Sequence, residues 1–303
     1  MDSLQKHLKK DSFPITFEPD SPKGIQLTHY LALDIPSNIA AFCLYNNPRG
    51  EPRLDPFVYG QKLRDIYKKD VIANIRIQDY SIPLFQSILW GGHNLGIKNL
   101  LMVTGDYHHH SPFLLDVTEA LTGITTYLNQ GYFMPELQKK AQRYHNRYLD
   151  TETVFLPKKC EGKTSFFVGA ALVVTRRKEK EIYYKKIQAG SQFFMTQLTY
   201  TPTDIINFME TINPTKPILV GSGPITSLKT IRFFKEQLKI PGLSLSLIKR
   251  LKQSKDMGKE SVRICTEMYH TLRDYARENN YPLGAHVMSI RKPQLALEII
   301  KEI

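Results

Sequence analysis

The stretch Leu243-Ser-Leu-Ser-Leu-Ile248 alternates leucine and serine with a period of two, the pattern of a half-buried β-strand. Its flanks oppose that reading. The turn residues "KIPG" (239–242) precede it, and the basic run "KRLKQSK" (249–255) follows, as suits the last turn of a helix. The segment is therefore expected to be a short helix inserted after a seventh strand. Working outward, the near-continuously apolar runs are "PITFE" (14–18), "IAAFCLY" (39–45), "VIANIRI" (71–77), "NLLMVTG" (99–105), "SFFVGAAL" (165–172), "FFMTQLTY" (193–200), "PILVGSG" (217–223) and "GAHVMSI" (284–290). Eight such strands separated by helical patterns predict a (β/α)8 TIM barrel, an α/β fold whose strands are buried on both faces. No linker, repeat or low-complexity tract interrupts the rhythm, so residues 1–303 are expected to form one domain. Within 257–280, Val262, Cys265, Met268, Leu272 and Tyr275 recur every three or four residues and predict a long helix. Another helix is expected over "PELQKKAQRYHNRYL" (135–149).

Composition narrows the function classes. Hydrophobic residues make up 42% of 303 positions, enough for a large core, yet no apolar run approaches the roughly 20 residues of a membrane span. The opening "MDSLQKHLKKDSFP" has no apolar segment of the secretory kind, so a cytoplasmic protein without membrane association is expected. Cys43, Cys160 and Cys265 are far apart without a CxxC pair, and read as reduced packing residues or inert thiols. Forty-one Lys and Arg against 29 Asp and Glu give a net charge of +12. Such a surplus concentrates anionic partners. The basic residues are scattered and accompany no nucleic-acid-binding signature, so an anionic small substrate or a solvated basic face is expected and nucleic acid is not.

In a TIM barrel, chemistry collects at the C-terminal ends of the strands. Polar residues at or near those ends are Glu18 after strand one, Tyr45 and Asn46 after strand two, and Asp79 after strand three. Thr104 and Asp106 follow strand four, Gln197 lies on strand six, and His286 and Arg291 lie on or just after strand eight. Glu18 and Asp106 are candidates for a carboxylate pair whose surroundings separate their roles into acid and permanent anion. The consecutive His108, His109 and His110 follow Asp106. Three adjacent imidazoles in a loop do not converge readily on one tetrahedral ion, so no metal is expected, and these residues read as lining a path for substrate or cofactor phosphate.

These motifs resemble the methylenetetrahydrofolate reductase family. "TFEPDSPKG" (16–24) is similar to that family's "FEFFPP" opening, and residues 74–106 align without a gap to its "HLTC.D" strand, helix and "LRGD" strand. "KKIQAGSQFFMTQLTY" (185–200) resembles "RKVDAGA...TQFFFD", "GPITSLKTIRFF" (223–234) resembles "GILPV...F", and "KIPGLSLSLIKRL" (239–251) falls where the family has "RIPAWM" and a helix. The resemblance implies an oxidoreductase of one-carbon metabolism that interconverts 5,10-methylenetetrahydrofolate and 5-methyltetrahydrofolate by hydride transfer. Glu18 would be its general acid, and Asp106 the anion facing pterin and flavin. It also implies Gln197 as the amide reading the pterin edge, Phe234 as the aromatic stacked on the aminobenzoyl ring, and Arg291 as a basic residue near the folate. FAD is the implied cofactor, with NAD(P)H or a partner protein as electron donor; whether the chain forms a homo-oligomer stays open.

The departures fall on the flavin side. A flavin-facing histidine of the family is Asn74 here, the arginine before Gly105-Asp106 is Thr104, and a tyrosine ending strand five is Ala171. With Tyr45, these are the positions that would face the cofactor. The loop that would hold the adenosine end of FAD reads "VVTRRKEKEIYY" (173–184), leaving Lys185 and Lys186 as phosphate partners. FMN or no flavin therefore stays open beside FAD. So does a flavin-independent protein that binds methyltetrahydrofolate, passes its methyl group to a partner, or serves as a non-catalytic folate-binding subunit.

Overall fold

The computed structural model describes residues 3–28, 31–105, 115–134, 157–240 and 242–303. Its strands are β1 (Ile15–Glu18), β2 (Ile39–Leu44), β3 (Asp70–Arg76), β4 (Asn99–Val103), β5 (Phe167–Leu172), β6 (Phe193–Leu198), β7 (Ile218–Ser222) and β8 (Leu283–Met288). All pair in parallel in chain order and close into a barrel, where Ile15 meets Ala285 and Glu18 meets Met288 across the β1–β8 seam. This is the expected TIM barrel.

Outside the strands lie α1 (Leu4–Lys10), α2 (Pro56–Tyr67), α3 (Ile82–Asn94), α4 (Val117–Thr122), α5 (Glu179–Gln188) and α6 (Pro202–Ile212). They continue with α7 (Leu228–Arg232), α8 (Leu245–Gln253), α9 (Met257–Asn279) and α10 (Pro293–Glu302). The alternating leucines do form a helix, α8. Ser244 caps it by accepting a hydrogen bond from the Leu247 amide at 3.1 Å, while Ile248 and Leu251 turn inward and Leu245 stays exposed. The capping serine thus overrides the period-two pattern that three leucines and two serines would otherwise impose. Asp256 caps α9 in the same way, and Asn280 ends it in the left-handed region at φ 53°.

Apolar side chains fall into two clusters. The larger packs helices against the outside of the barrel. The smaller fills the barrel itself with Ala41, Cys43, Ile72, Leu101, Phe193, Met195 and Leu219. Leu4 and Leu8 of α1 join that inner cluster, and the Leu4 amide donates to Asp70 at the start of β3 over 2.9 Å. Helix α1 therefore closes the N-terminal end of the barrel and leaves the C-terminal end as the accessible mouth. Among the described residues no helix is long and apolar enough to cross a membrane. Asp106, the three histidines and the helix expected over 135–149 lie outside the described residues.

Candidate functional site at the barrel mouth

Strand alternation sends every second residue into the barrel, and at the top layer several of these are polar. Glu18, Asn74, Thr104, Gly105, Ala171, Lys186, Gln197 and His286 line one cavity of about 430 Å³ at the C-terminal ends of the strands. Met195 and Met288 supply apolar walls.

Glu18 ends β1, and its side chain is only 15% exposed. Across the closing seam, Nε2 of the buried His286 lies 3.5 Å from Glu18 Oε2. The other ring nitrogen, Nδ1, is 3.0 Å from Thr16 Oγ1, whose hydroxyl donates to the Ala285 carbonyl at 3.2 Å. Thr16 has one hydroxyl proton; when it goes to that carbonyl, the oxygen accepts from the Nδ1–H tautomer of His286, and Nε2 is left facing Glu18. Beneath them, the Cys43 thiol donates to Asn74 Oδ1 at 3.0 Å and lies 3.7 Å from Met195 Sδ. Burial pushes the Cys43 thiol well up, and the Glu18 charge adds to the rise. One ligating atom from each of Glu18, Cys43 and His286 lies within 4.8 Å of the others.

The β5 side of the mouth carries the cations. Lys186 reaches in from α5, donates to the Ala171 carbonyl, and has Glu179 Oε1 4.0 Å away. Burial lowers its pKa to about 8; Glu179 works against the fall, and Arg176 adds to it. Glu179 is itself held by Arg176 and by the Val173 amide. Gln197 is exposed and lines the cavity from β6.

Gly105 adopts φ +88°, and a Cβ there would sit 2.4 Å from Arg76 Nε and 2.4 Å from Gln78 Nε2. Arg76 is buried at the end of β3, where it pairs with Asp79 at 3.0 Å and donates to the Asn47 carbonyl. That guanidinium therefore packs from β3 against the turn containing Thr104, a position that carries no cation of its own.

Other predicted residues lie elsewhere. Tyr45 and Arg291 line a neighbouring cavity with Asp20, Lys23 and Arg53. There the Tyr45 hydroxyl accepts from the Ser21 amide and is pushed up to about 12 by burial. Arg291, at φ 61°, gives its amide to Asp20. Lys185 is exposed and does not line the mouth cavity. Phe234 is 2% exposed and stacks on Tyr200 at 6.2 Å, so it belongs to the core; the half-buried ring is Phe233, which carries the Arg49 guanidinium 5.4 Å above it. The sequence reading placed His286 near the mouth without giving it a role, and took Cys43 for packing. The signal for both was a polar or sulfur-bearing side chain at an inward position of an otherwise apolar strand.

Part of this barrel also has a sequence counterpart. Residues 174–303 match the family model of methylenetetrahydrofolate reductase. The match runs from the end of β5 to the C-terminus and takes in Lys186, Gln197 and His286, so the resemblance to this family holds over that part of the chain. None of the curated proteins matches the chain. Among solved structures, an uncharacterized protein from Clostridium thermocellum that binds two copies of 5-methyl-5,6,7,8-tetrahydrofolic acid superposes with a TM-score of 0.66 at 18% identity, covering 98% of this chain and 96% of its own. A 2,3-dimethylmalate lyase of the PEP mutase/isocitrate lyase superfamily matches at a TM-score of 0.49 and 9% identity, covering 100% of this chain and 85% of its own. The first of these shares the fold of this barrel.

Proposed function

We propose that the barrel binds a reduced folate of the 5-methyltetrahydrofolate class in its mouth and acts as a flavin-independent folate-binding protein of one-carbon metabolism, presenting the methyl group to a partner. The observation that carries this reading is the meeting of Glu18 and Gln197 on the wall of one cavity. A planar amide with donor and acceptor side by side suits a pterin edge, and a carboxylate suits the pterin's ring and amino N–H groups. The Clostridium thermocellum protein, with the same fold and two bound methyltetrahydrofolates, supports the choice of ligand. The net charge of +12 suits the anionic tail of a folate.

The flavin positions argue for folate without flavin. Asn74 is engaged by the Cys43 thiol, Ala171 offers only its backbone, and the Lys186 ammonium is committed to the Ala171 carbonyl beside Glu179. Lys185 is exposed and does not line the cavity. Among the described residues, these groups do not fit the phosphates and ring of FAD.

The family match over 174–303 favours a second reading, reduction of 5,10-methylenetetrahydrofolate; in it Glu18, which lies outside the matched residues, would supply the proton. Two measurements separate them. Calorimetric titration of the purified chain with 5-methyltetrahydrofolate, in chelator, is expected to give saturable binding, and its absence overturns the first reading. A colourless protein that takes up neither FAD nor FMN excludes the flavin form of the second; a yellow protein with absorbance near 450 nm restores it.

A further inference from the structure

Glu18, Cys43 and His286 come from β1, β2 and β8, three neighbouring strands of the closed barrel. We propose that these three side chains hold a divalent cation of the zinc class, with its fourth coordination position open to the mouth cavity.

The donor set is an oxygen, a sulfur and a nitrogen, which a borderline-soft cation accepts together. Tetrahedral bonds of about 2.0–2.3 Å place ligand atoms roughly 3.3–3.8 Å apart. Glu18 Oε2 and His286 Nε2 are already separated by 3.5 Å, and the full set falls within 4.8 Å. The widest separation in the set therefore exceeds the tetrahedral spacing by no more than about 1 Å. The imidazole is also prepared for it. Thr16 holds Nδ1–H, so Nε2 presents its lone pair toward the other two ligands, the arrangement by which ligating histidines are oriented. Binding replaces the Cys43 thiol proton, which leaves to solvent, with the cation. Thiolate and carboxylate then neutralise its two positive charges inside a low-dielectric layer. Asn74, which accepts the thiol proton over 3.0 Å, turns its amide to offer N–H to the thiolate.

Three protein ligands and an open fourth position is the pattern of a reactive rather than a structural cation. Glu18 and His286 line the mouth cavity together with Gln197, so a fourth ligand reaches the cation from that cavity, and one with its own anionic sulfur or oxygen suits it. A cation here occupies the Glu18 oxygen that the hydride-transfer reading needs for a proton, so the site is compatible with methyl transfer and not with that second reading.

The test uses the full chain, stripped with chelator and titrated with Co2+ in the absence of folate, so that its failure leaves the folate reading standing. One equivalent is expected to bind with a thiolate-to-cobalt charge-transfer band and the visible bands of a tetrahedral ion, and Zn2+ is expected to abolish both. Cys43→Ser removes the charge-transfer band, whereas Cys160→Ser keeps it. Since Cys43 is fully buried, Glu18→Gln at a partly exposed position serves as the second variant, and it is expected to weaken Co2+ binding while circular dichroism stays unchanged. Absence of the charge-transfer band in the parent chain, its survival in Cys43→Ser, or unchanged affinity in Glu18→Gln overturns the proposal.

Discussion

Thr16 and His286 face each other across the seam that closes the barrel, with the threonine hydroxyl oxygen 3.0 Å from the imidazole Nδ1. Both side chains are buried, so the contact does two things. It satisfies a ring N–H that water cannot reach, and it turns the other ring nitrogen toward Glu18. Thr16→Val keeps the shape and deletes the acceptor. The buried Nδ1–H then lacks a partner, which costs about 1–3 kcal/mol. Urea unfolding is expected to show a lower midpoint with an unchanged slope. Co2+ affinity is expected to fall about 10–100-fold, the usual effect of removing the group that orients a ligating histidine. Full stability in the valine variant would show that the ring is held by packing alone.

Gln197 has a different role from its neighbours on β6. Phe193, Met195 and Leu198 are buried, while Gln197 is exposed into the cavity. A side chain of this kind contributes little to the fold, so Gln197→Ala is expected to leave the melting temperature within about 2 °C. Its effect on folate binding is expected to be large. Loss of a paired donor and acceptor corresponds to about 1–3 kcal/mol, or roughly 5–150-fold in Kd by calorimetry. Equal affinity of parent and variant would remove Gln197 from the proposed pterin contact.

The turn after β4 is held from β3. Any side chain at residue 105 must adopt φ +88° and would place its Cβ 2.4 Å from Arg76 Nε. Gly105→Ala therefore combines backbone strain with displacement of a buried guanidinium that is paired to Asp79. A loss of about 2–4 kcal/mol in chemical denaturation is expected. Folate affinity should fall with it, because Thr104 and Gly105 form part of the cavity wall. Unchanged affinity in a destabilised but folded variant would show that this wall does not touch the ligand.

The fold was legible because barrel strands are buried on both faces and therefore appear as plain apolar runs; all eight were located to within about two residues at each end. The one ambiguous segment, Leu243 to Ile248, was resolved by its flanks. The site was legible where a polar residue ended a strand, as with Glu18, or interrupted one, as with Gln197. It was less so where the deciding fact is which strands become neighbours. Cys43 looks like packing in "IAAFCLY", and it joins Glu18 and His286 only after closure brings β8 against β1 and β1 against β2. Lys185 and Lys186 show the same limit, since one residue of helical rotation puts the first in solvent and the second in the mouth.

Lys186 gives the molecule a pH signature of its own. Its ordinary pKa of 10.5 falls to about 8 in the folded chain, chiefly through burial, while Glu179 partly offsets the fall. Between these two values the unfolded chain keeps a proton that the native chain has released, so the stability contribution of this residue rises with pH from about 8 to 10.5. Below pH 8 both states are protonated, and the cost of burying the charge, about 3 kcal/mol before relaxation, is present in full. Lys186→Met removes the titrating group but leaves Glu179 with Arg176 as its charged partner. The informative quantity is the difference in unfolding free energy between parent and variant, followed from pH 7 to pH 10 at constant ionic strength. It is expected to shift in favour of the parent as pH rises through 8, with most of the change above that value. A difference that stays flat across the range would mean that the Lys186 ammonium keeps its proton in the mouth, held by the Ala171 carbonyl and Glu179 more firmly than its burial implies.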